Sequence, residues 1–148
     1  AVVSPKADGG LVGFNNYVVD SGEYEFGPLE IVASDAKEIP DNRPNLIKIS
    51  IDEVNAVIQL GDVKETKKQA IELLGEVNLL ISNEEQGFQG TEKLIKKLNP
   101  SVLVLLNYNE AKVTKKYEVE VQETAKTLKF SKSDFSGEES SLTVMGLE

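Results

Sequence analysis

Apolar and polar positions alternate with period two through much of the first sixty residues. Residues 17–19, 24–26 and 29–32 read as short strands, and Gly27-Pro28 between the last two is a turn signal, so the pattern predicts a hairpin there. From Ser34 to Asn45 the alternation is lost. Two prolines among Asp and Asn predict a surface loop. Alternation resumes over residues 46–51, turns at 52–55 and continues over 56–60, which predicts a second antiparallel pair.

Past Gly61-Asp62 the period changes. Thr66-Lys67-Lys68-Gln69 fits a capping box, Ala70, Ile71 and Leu74 follow at helical spacing, and Gly75 supplies a stop. Residues 77–81 form a near-continuous apolar run, the signature of a strand buried on both faces. Residues 91–98 return to helical spacing, with Leu94, Ile95 and Leu98 on one face and Lys93, Lys96 and Lys97 on the other, until Asn99-Pro100 ends the element. Residues 101–106 are the next buried strand. Strand, helix, strand, helix, strand with short connections predicts a parallel βαβαβ run with right-handed crossovers. The tail reads as short β segments at 117–121, 127–130 and 142–145 around a polar stretch over 131–141. With no repeat and no linker, residues 1–148 are expected to form a single domain.

Composition narrows the chemistry. The chain has 148 residues, 40% of them hydrophobic and 28% charged, as in an ordinary globular domain that needs no disulfide or metal staple. It has no Cys and no His. That excludes Ser-His-Asp and Cys-His catalysis and any zinc site built on imidazole or thiolate. A net charge of −9 opposes binding to a phosphate backbone, so nucleic acid is not an expected partner. No window approaches the ~20 apolar residues of a membrane span, and residues 1–5 lack a basic leader, so a cytoplasmic protein without membrane contact is expected. The chain opens at Ala1 in an apolar run, as if within a strand.

Several polar groups stand where ligands could bind. Asp62 lies just past a strand end, a common ligand position in open α/β sheets, although a turn or cap role is the plainer reading. Asn107, with Tyr108 and Asn109, follows another buried strand and offers amides and a phenol, or simply forms a turn. Asp20 with Glu23, and Glu84-Glu85, offer oxygen ligands to a hard cation, against a default of solvated charge.

The order of these segments is more specific than any one of them. Ser4 to Gly10 after a strand, Val18-Val19-Asp20-Ser21-Gly22-Glu23-Tyr24-Glu25, the hairpin, Gln59-Leu60-Gly61-Asp62, Leu74-Gly75-Glu76-Val77 and Leu98-Asn99-Pro100-Ser101 through Asn107-Tyr108 resemble a metallo-β-lactamase-fold protein of the zinc-dependent hydrolase branch. The resemblance covers nearly all of the chain, including residues 128–132. It implies an α/β fold, a metallo-β-lactamase-like αββα sandwich with mixed sheets and flanking helices.

The departures from that family bear on function. The family holds one or two metals through a His-x-His-x-Asp-His motif, a later His, a bridging Asp and a last His. Its first motif aligns with Pro5, Ala7, Gly9 and Gly10, and a one-residue slip brings Asp8 to the Asp position. The middle His falls near Ser34 or Asp35, and the last falls on Asn107. Asp62 matches the bridging Asp. A lone carboxylate with an amide falls short of the three or four ligands that zinc requires.

The resemblance also implies strands ahead of the His-rich motif, so the domain is expected to be N-terminally incomplete, with those strands removed or supplied by another chain. The expected role is that of a pseudoenzyme: a non-catalytic domain with no zinc and no other cofactor, Asp62, Asn107, Asp8 and Asp35 being vestiges of the site. It would act by association with itself or with another protein chain. Two alternatives stand beside it. One is a hydrolase in which Asp62, with Asp8 or Asp35, holds an oxygen-ligated Mg²⁺ or Mn²⁺. The other is a small-molecule binding module using the vacated cleft.

Overall fold

The structure, a computed structural model, describes residues 2–3, 17–18, 20–37, 41–63, 68–135 and 142–148. Strands β1 (Val2–Val3) and β2 (Tyr17–Val18) pair in parallel as a small separate sheet. The expected hairpin is formed by β3 (Gly22–Phe26) and β4 (Leu29–Ser34), which pair antiparallel. Gly27 turns it at φ 62°, in keeping with a glycine at the first central position of a tight turn of the kind that matches strand twist. The second antiparallel pair, β5 (Leu46–Ile51) and β6 (Val54–Gln59), is joined more tightly than the expected four-residue turn. Asp52 and Glu53 make the whole connection, both at positive φ (49° and 62°), as a type I′ turn requires.

The parallel half follows. Helix α1 (Lys68–Leu74), strand β7 (Leu79–Asn83), helix α2 (Thr91–Leu98) and strand β8 (Val102–Leu106) alternate, with β6, β7 and β8 parallel neighbours. Thr66 of the expected capping box lies outside the described residues. Strand β7 starts two residues later than the apolar run suggests, because Asn78 first crosses to the neighbouring strand, where its Oδ1 accepts the Asn55 N–H at 2.7 Å.

The tail departs from its expected β character. Residues 110–117 form a helix, α3 (Glu110–Tyr117), capped by Asn109, whose Oδ1 accepts the Lys112 N–H, and closed at Glu118 with φ 57°. Its Val113 and Tyr117, spaced i and i+4, pack on the core. Strand β9 (Val121–Ala125) therefore begins where the expected strand would end, residues 126–131 carry no strand, and a 3₁₀ turn spans Lys132–Phe135. The final strand is β10 (Thr143–Leu147). It inserts between β8 and β9, parallel to both, and completes an eight-stranded sheet in the order β3-β4-β5-β6-β7-β8-β10-β9.

Pairing register sorts the side chains onto two faces. One carries Leu46, Val57, Leu80, Leu103, Leu105 and Val144, and helices α1, α2 and α3 cover it with Leu74, Leu94, Leu98 and Val113. The other carries Val54, Leu79, Val102 and Val104, against which Leu128, Phe130 and Phe135 pack; Phe130 and Phe135 lie 5.9 Å apart in a tilted pair. Further along that face Ile31, Ala33 and Ile47 form a third cluster with Tyr24 and Phe26. The burial pattern of α2 is as its sequence predicts, with Thr91, Leu94 and Leu98 buried and its lysines exposed. In β10, Gly146 is required by close approach: a Cβ there would collide with the Tyr108 ring, whose hydroxyl reaches on to Thr124. Among the described residues no helix is long and apolar enough to cross a membrane.

Candidate functional site

Strand directions decide which residues can meet. Two antiparallel steps make β4 run the same way as β6, and β6, β7, β8, β10 and β9 are all mutually parallel. The segments after these strands therefore emerge at one edge of the sheet, the position at which open α/β sheets place ligands. Asp35 follows β4, Asp62 follows β6 and Asn107 follows β8. Each is separated from the next by one intervening strand, about 10 Å of sheet edge at normal strand spacing. Asp8, the fourth candidate, lies outside the described residues.

At that edge the candidate side chains are taken up by local hydrogen bonds. Asp62 is exposed, and its Oδ1 accepts the Gln89 N–H at 2.8 Å, tying the loop before α2 to the end of β6. Asn107 sits in the left-handed region at φ 49°, a conformation that Asn tolerates, and its Nδ2 faces Asn83 Oδ1 at 3.4 Å. Asp35, with its side chain only 7% exposed, accepts backbone N–H groups from Lys37, Asp41 and Asn42 and pairs with Lys37 Nζ at 3.4 Å. Lys37 Nζ also contacts Asp41, and this pairing holds the Asp41 carboxyl below the usual carboxylate range.

The residue that joins two of these positions is one that sequence reasoning passed over. Asn45 lies at the end of the segment expected to be a surface loop, yet Ala36, Pro44 and Asn45 are all buried. Its Oδ1 accepts the Ala36 N–H at 2.8 Å while its Nδ2 donates to the Asp62 carbonyl at 2.9 Å. The signal available was an Asn placed directly before an alternating run. A second missed cluster lies beneath α2, where buried Gln59 accepts from Thr91 Oγ1 at 2.9 Å and Ser82 Oγ at 3.2 Å and donates to the Gly61 carbonyl.

The remaining carboxylate candidates separate. Glu84 is tied to α3, accepting from Tyr117 Oη at 2.6 Å and pairing with Lys116 at 3.3 Å, while Glu85 is exposed. Burial, together with that hydrogen bond to the Glu84 carboxylate, pushes the Tyr117 phenol well above its ordinary pKa. Asp20 and Glu23 are exposed, and it is the Asp20 backbone carbonyl, not its carboxylate, that receives the Tyr24 hydroxyl at 2.8 Å. Among the described residues no group of three or more Asp or Glu is placed to hold a metal ion.

Two cavities open near this edge. One, of about 380 Å³, is lined by Asn107, Tyr108, Glu110, Leu147 and Glu148. The larger, about 630 Å³, lies between the start of β3, the end of β4 and one side of α1, and is lined by Ser21, Ala33, Asp35, Asn42, Gln69 and Leu73 among others.

The mixed sheet with its flanking helices has a metallo-β-lactamase fold, in partial form. It is similar over 90% of its length, and over 73% of the other chain, to the crystal structure of a protein from Thermotoga maritima described as a Zn-dependent hydrolase of the metallo-β-lactamase superfamily, with a TM-score of 0.63 and 15% identity. No family model matches the chain, and no curated protein matches it.

Zinc is the metal that this fold implies, and the residues present do not fit it. Asp62 and Asp35 already accept backbone N–H groups, Asn107 offers only an amide, and the chain has neither imidazole nor thiolate.

Proposed function

We propose that this chain is a non-catalytic metallo-β-lactamase-fold domain that acts by association, with another protein chain or with a second copy of itself. The observation that carries this reading is the employment of Asp62. At the ligand position that matches the resembled family, its carboxylate holds the Gln89 N–H and its carbonyl holds Asn45, so the residue works as a tie between loops. Association is supported by the surface. Ile51 and Leu73 keep 44% and 49% of their area exposed, and among the described residues β3 and β9 are the outer strands of the sheet, with backbone groups suited to pairing.

Two measurements test the reading together. Hydrolysis of lactone, phosphodiester and β-lactam substrates with added Zn²⁺, Mn²⁺ or Mg²⁺ should stay at the level of buffer, and sedimentation velocity over a concentration series should show self-association or, with a lysate-derived partner identified by mass, a hetero-complex. Asp62→Ala should cost about 0.5–2 kcal/mol of stability, the range for a lost capping side chain, and change no activity. A metal-dependent turnover abolished by Asp62→Ala would overturn the proposal in favour of an oxygen-ligated hydrolase.

A further inference from the structure

The 630 Å³ cavity beside Asp35 is lined at the start of β3 by Ser21. The backbone N–H of Ser21 donates to the Asn42 carbonyl at 3.1 Å, which fixes the start of β3 against the loop after β4. The Ser21 hydroxyl, in contrast, is buried and has no hydrogen-bond partner among the described residues, a condition that costs free energy unless something in the cavity answers it. Across the opening, Gln69, Ala70 and Leu73 line the cavity from α1, and Leu73 and Ala33 make part of the wall apolar. Asn42 and Gln69 are exposed at the rim.

Charge selects the class of ligand. Asp35 is the carboxylate in the lining, and three backbone N–H groups with Lys37 already compensate it. A cation would therefore gain little from Asp35. An anion would find no Lys or Arg among the described lining residues, in a chain of net charge −9. What remains is an uncharged polar molecule. The Asn42 and Gln69 amides each present a donor beside an acceptor, Ser21 adds a hydroxyl, and the Ala33, Ala70 and Leu73 surface suits a face of C–H groups.

We propose that this cavity binds a small uncharged polyol of monosaccharide size, with Ser21 hydrogen-bonded to one ligand hydroxyl, Asn42 and Gln69 to others, and Leu73 against the carbon face. The site is separate from the Asp62 and Asn107 positions, and it shares Leu73 with the exposed apolar surface.

The test is an amide chemical-shift titration of the intact chain with D-glucose, D-galactose, D-mannose and D-xylose, with glucose 6-phosphate and glucosamine as charged controls. At least one neutral sugar should give saturable shifts centred on Gly22, Asn42 and Gln69, and each charged analogue should bind more weakly. Ser21→Ala and Asn42→Gly, the latter keeping the left-handed backbone of residue 42 at φ 65°, should each weaken binding about tenfold, the scale of one lost hydrogen bond. Gln69→Ala, on the exposed side of α1, gives a third reading that does not depend on the loop. Three results would overturn the proposal: no saturable shift with any neutral sugar, tighter binding of a charged analogue, or undiminished affinity in Ser21→Ala and Gln69→Ala.

Discussion

At the scale of single residues, the side chains that matter most to the sheet edge are amides. Asn45 is 3% exposed and serves two backbone groups at once, the Ala36 N–H and the Asp62 carbonyl. Asn45→Ala strips both of their partner, so it should cost about 2–4 kcal/mol by chemical denaturation, more than Asp62→Ala, whose partner Gln89 is exposed and can turn to water. Equal costs for the two would show that Asn45 is not the tie. Tyr117 offers a prediction with a pH sign. Because burial and Glu84 raise its pKa, the folded chain keeps the phenol proton where an unfolded tyrosine, with a pKa near 10, gives it up. Its contribution is therefore complete below about pH 10 and is lost as pH climbs above it. Lys48 works in the opposite sense: burial lowers its pKa, so this group favours the folded chain more as alkaline pH is approached. Since Lys48 is common to both proteins, the stability of wild type minus that of Tyr117→Phe isolates the tyrosine, and that difference should shrink from pH 9 to pH 11. A difference that stays constant across the range would refute the assignment.

At the scale of elements, legibility followed the distance over which a signal operates. The β3–β4 hairpin, the β5–β6 pair and α2 could be read because turn residues and periodicity lie within a few positions of each other. Helix α3 could not, because Glu110-Ala111-Lys112-Val113-Thr114-Lys115-Lys116-Tyr117 has few apolar residues, and its helical state rests on the Asn109 cap and on Val113 and Tyr117 meeting a sheet built from remote segments. The loop from 35 to 45 misled for a similar reason: its polar residues look solvated in sequence, and only the fold turns Asp35 and Asn45 inward to collect backbone N–H groups. Of the candidate site, the strand-end positions of Asp62 and Asn107 were readable from the strand pattern and Asp35 only from the family resemblance, whereas their absorption into local hydrogen bonds was not readable. The turn at Asp52-Glu53 yields an engineering prediction. Both residues hold positive φ, and Asn-Gly is the pair that this turn type prefers. Asp52→Asn with Glu53→Gly should raise stability by about 0.5–1 kcal/mol, net of the exposed Glu53–Lys132 ion pair that it removes. A lowered melting temperature would mean that the ion pair outweighs the backbone strain.

At the scale of the whole molecule, the sheet divides into an antiparallel half that a few local turns can form and a parallel half that needs distant segments. The order β8-β10-β9 is the clearest case. Strand β9 pairs with β10, and β10 is what connects it to β8. That arrangement imposes a hierarchy of opening: any fluctuation that lifts β10 out of the sheet also releases β9, while β9 can peel away and leave β10 paired to β8. Native-state amide hydrogen exchange should accordingly find the opening free energies of β9 amides no higher than those of β10, and a mild denaturant should bring the two together before β7 and β8 respond. Protection of β9 beyond that of β10 would contradict this order. The chain thus has a built-in sequence of disassembly, with its outermost parallel strand held in place by a neighbour that the polypeptide reaches only after passing through the 3₁₀ turn of Lys132–Phe135.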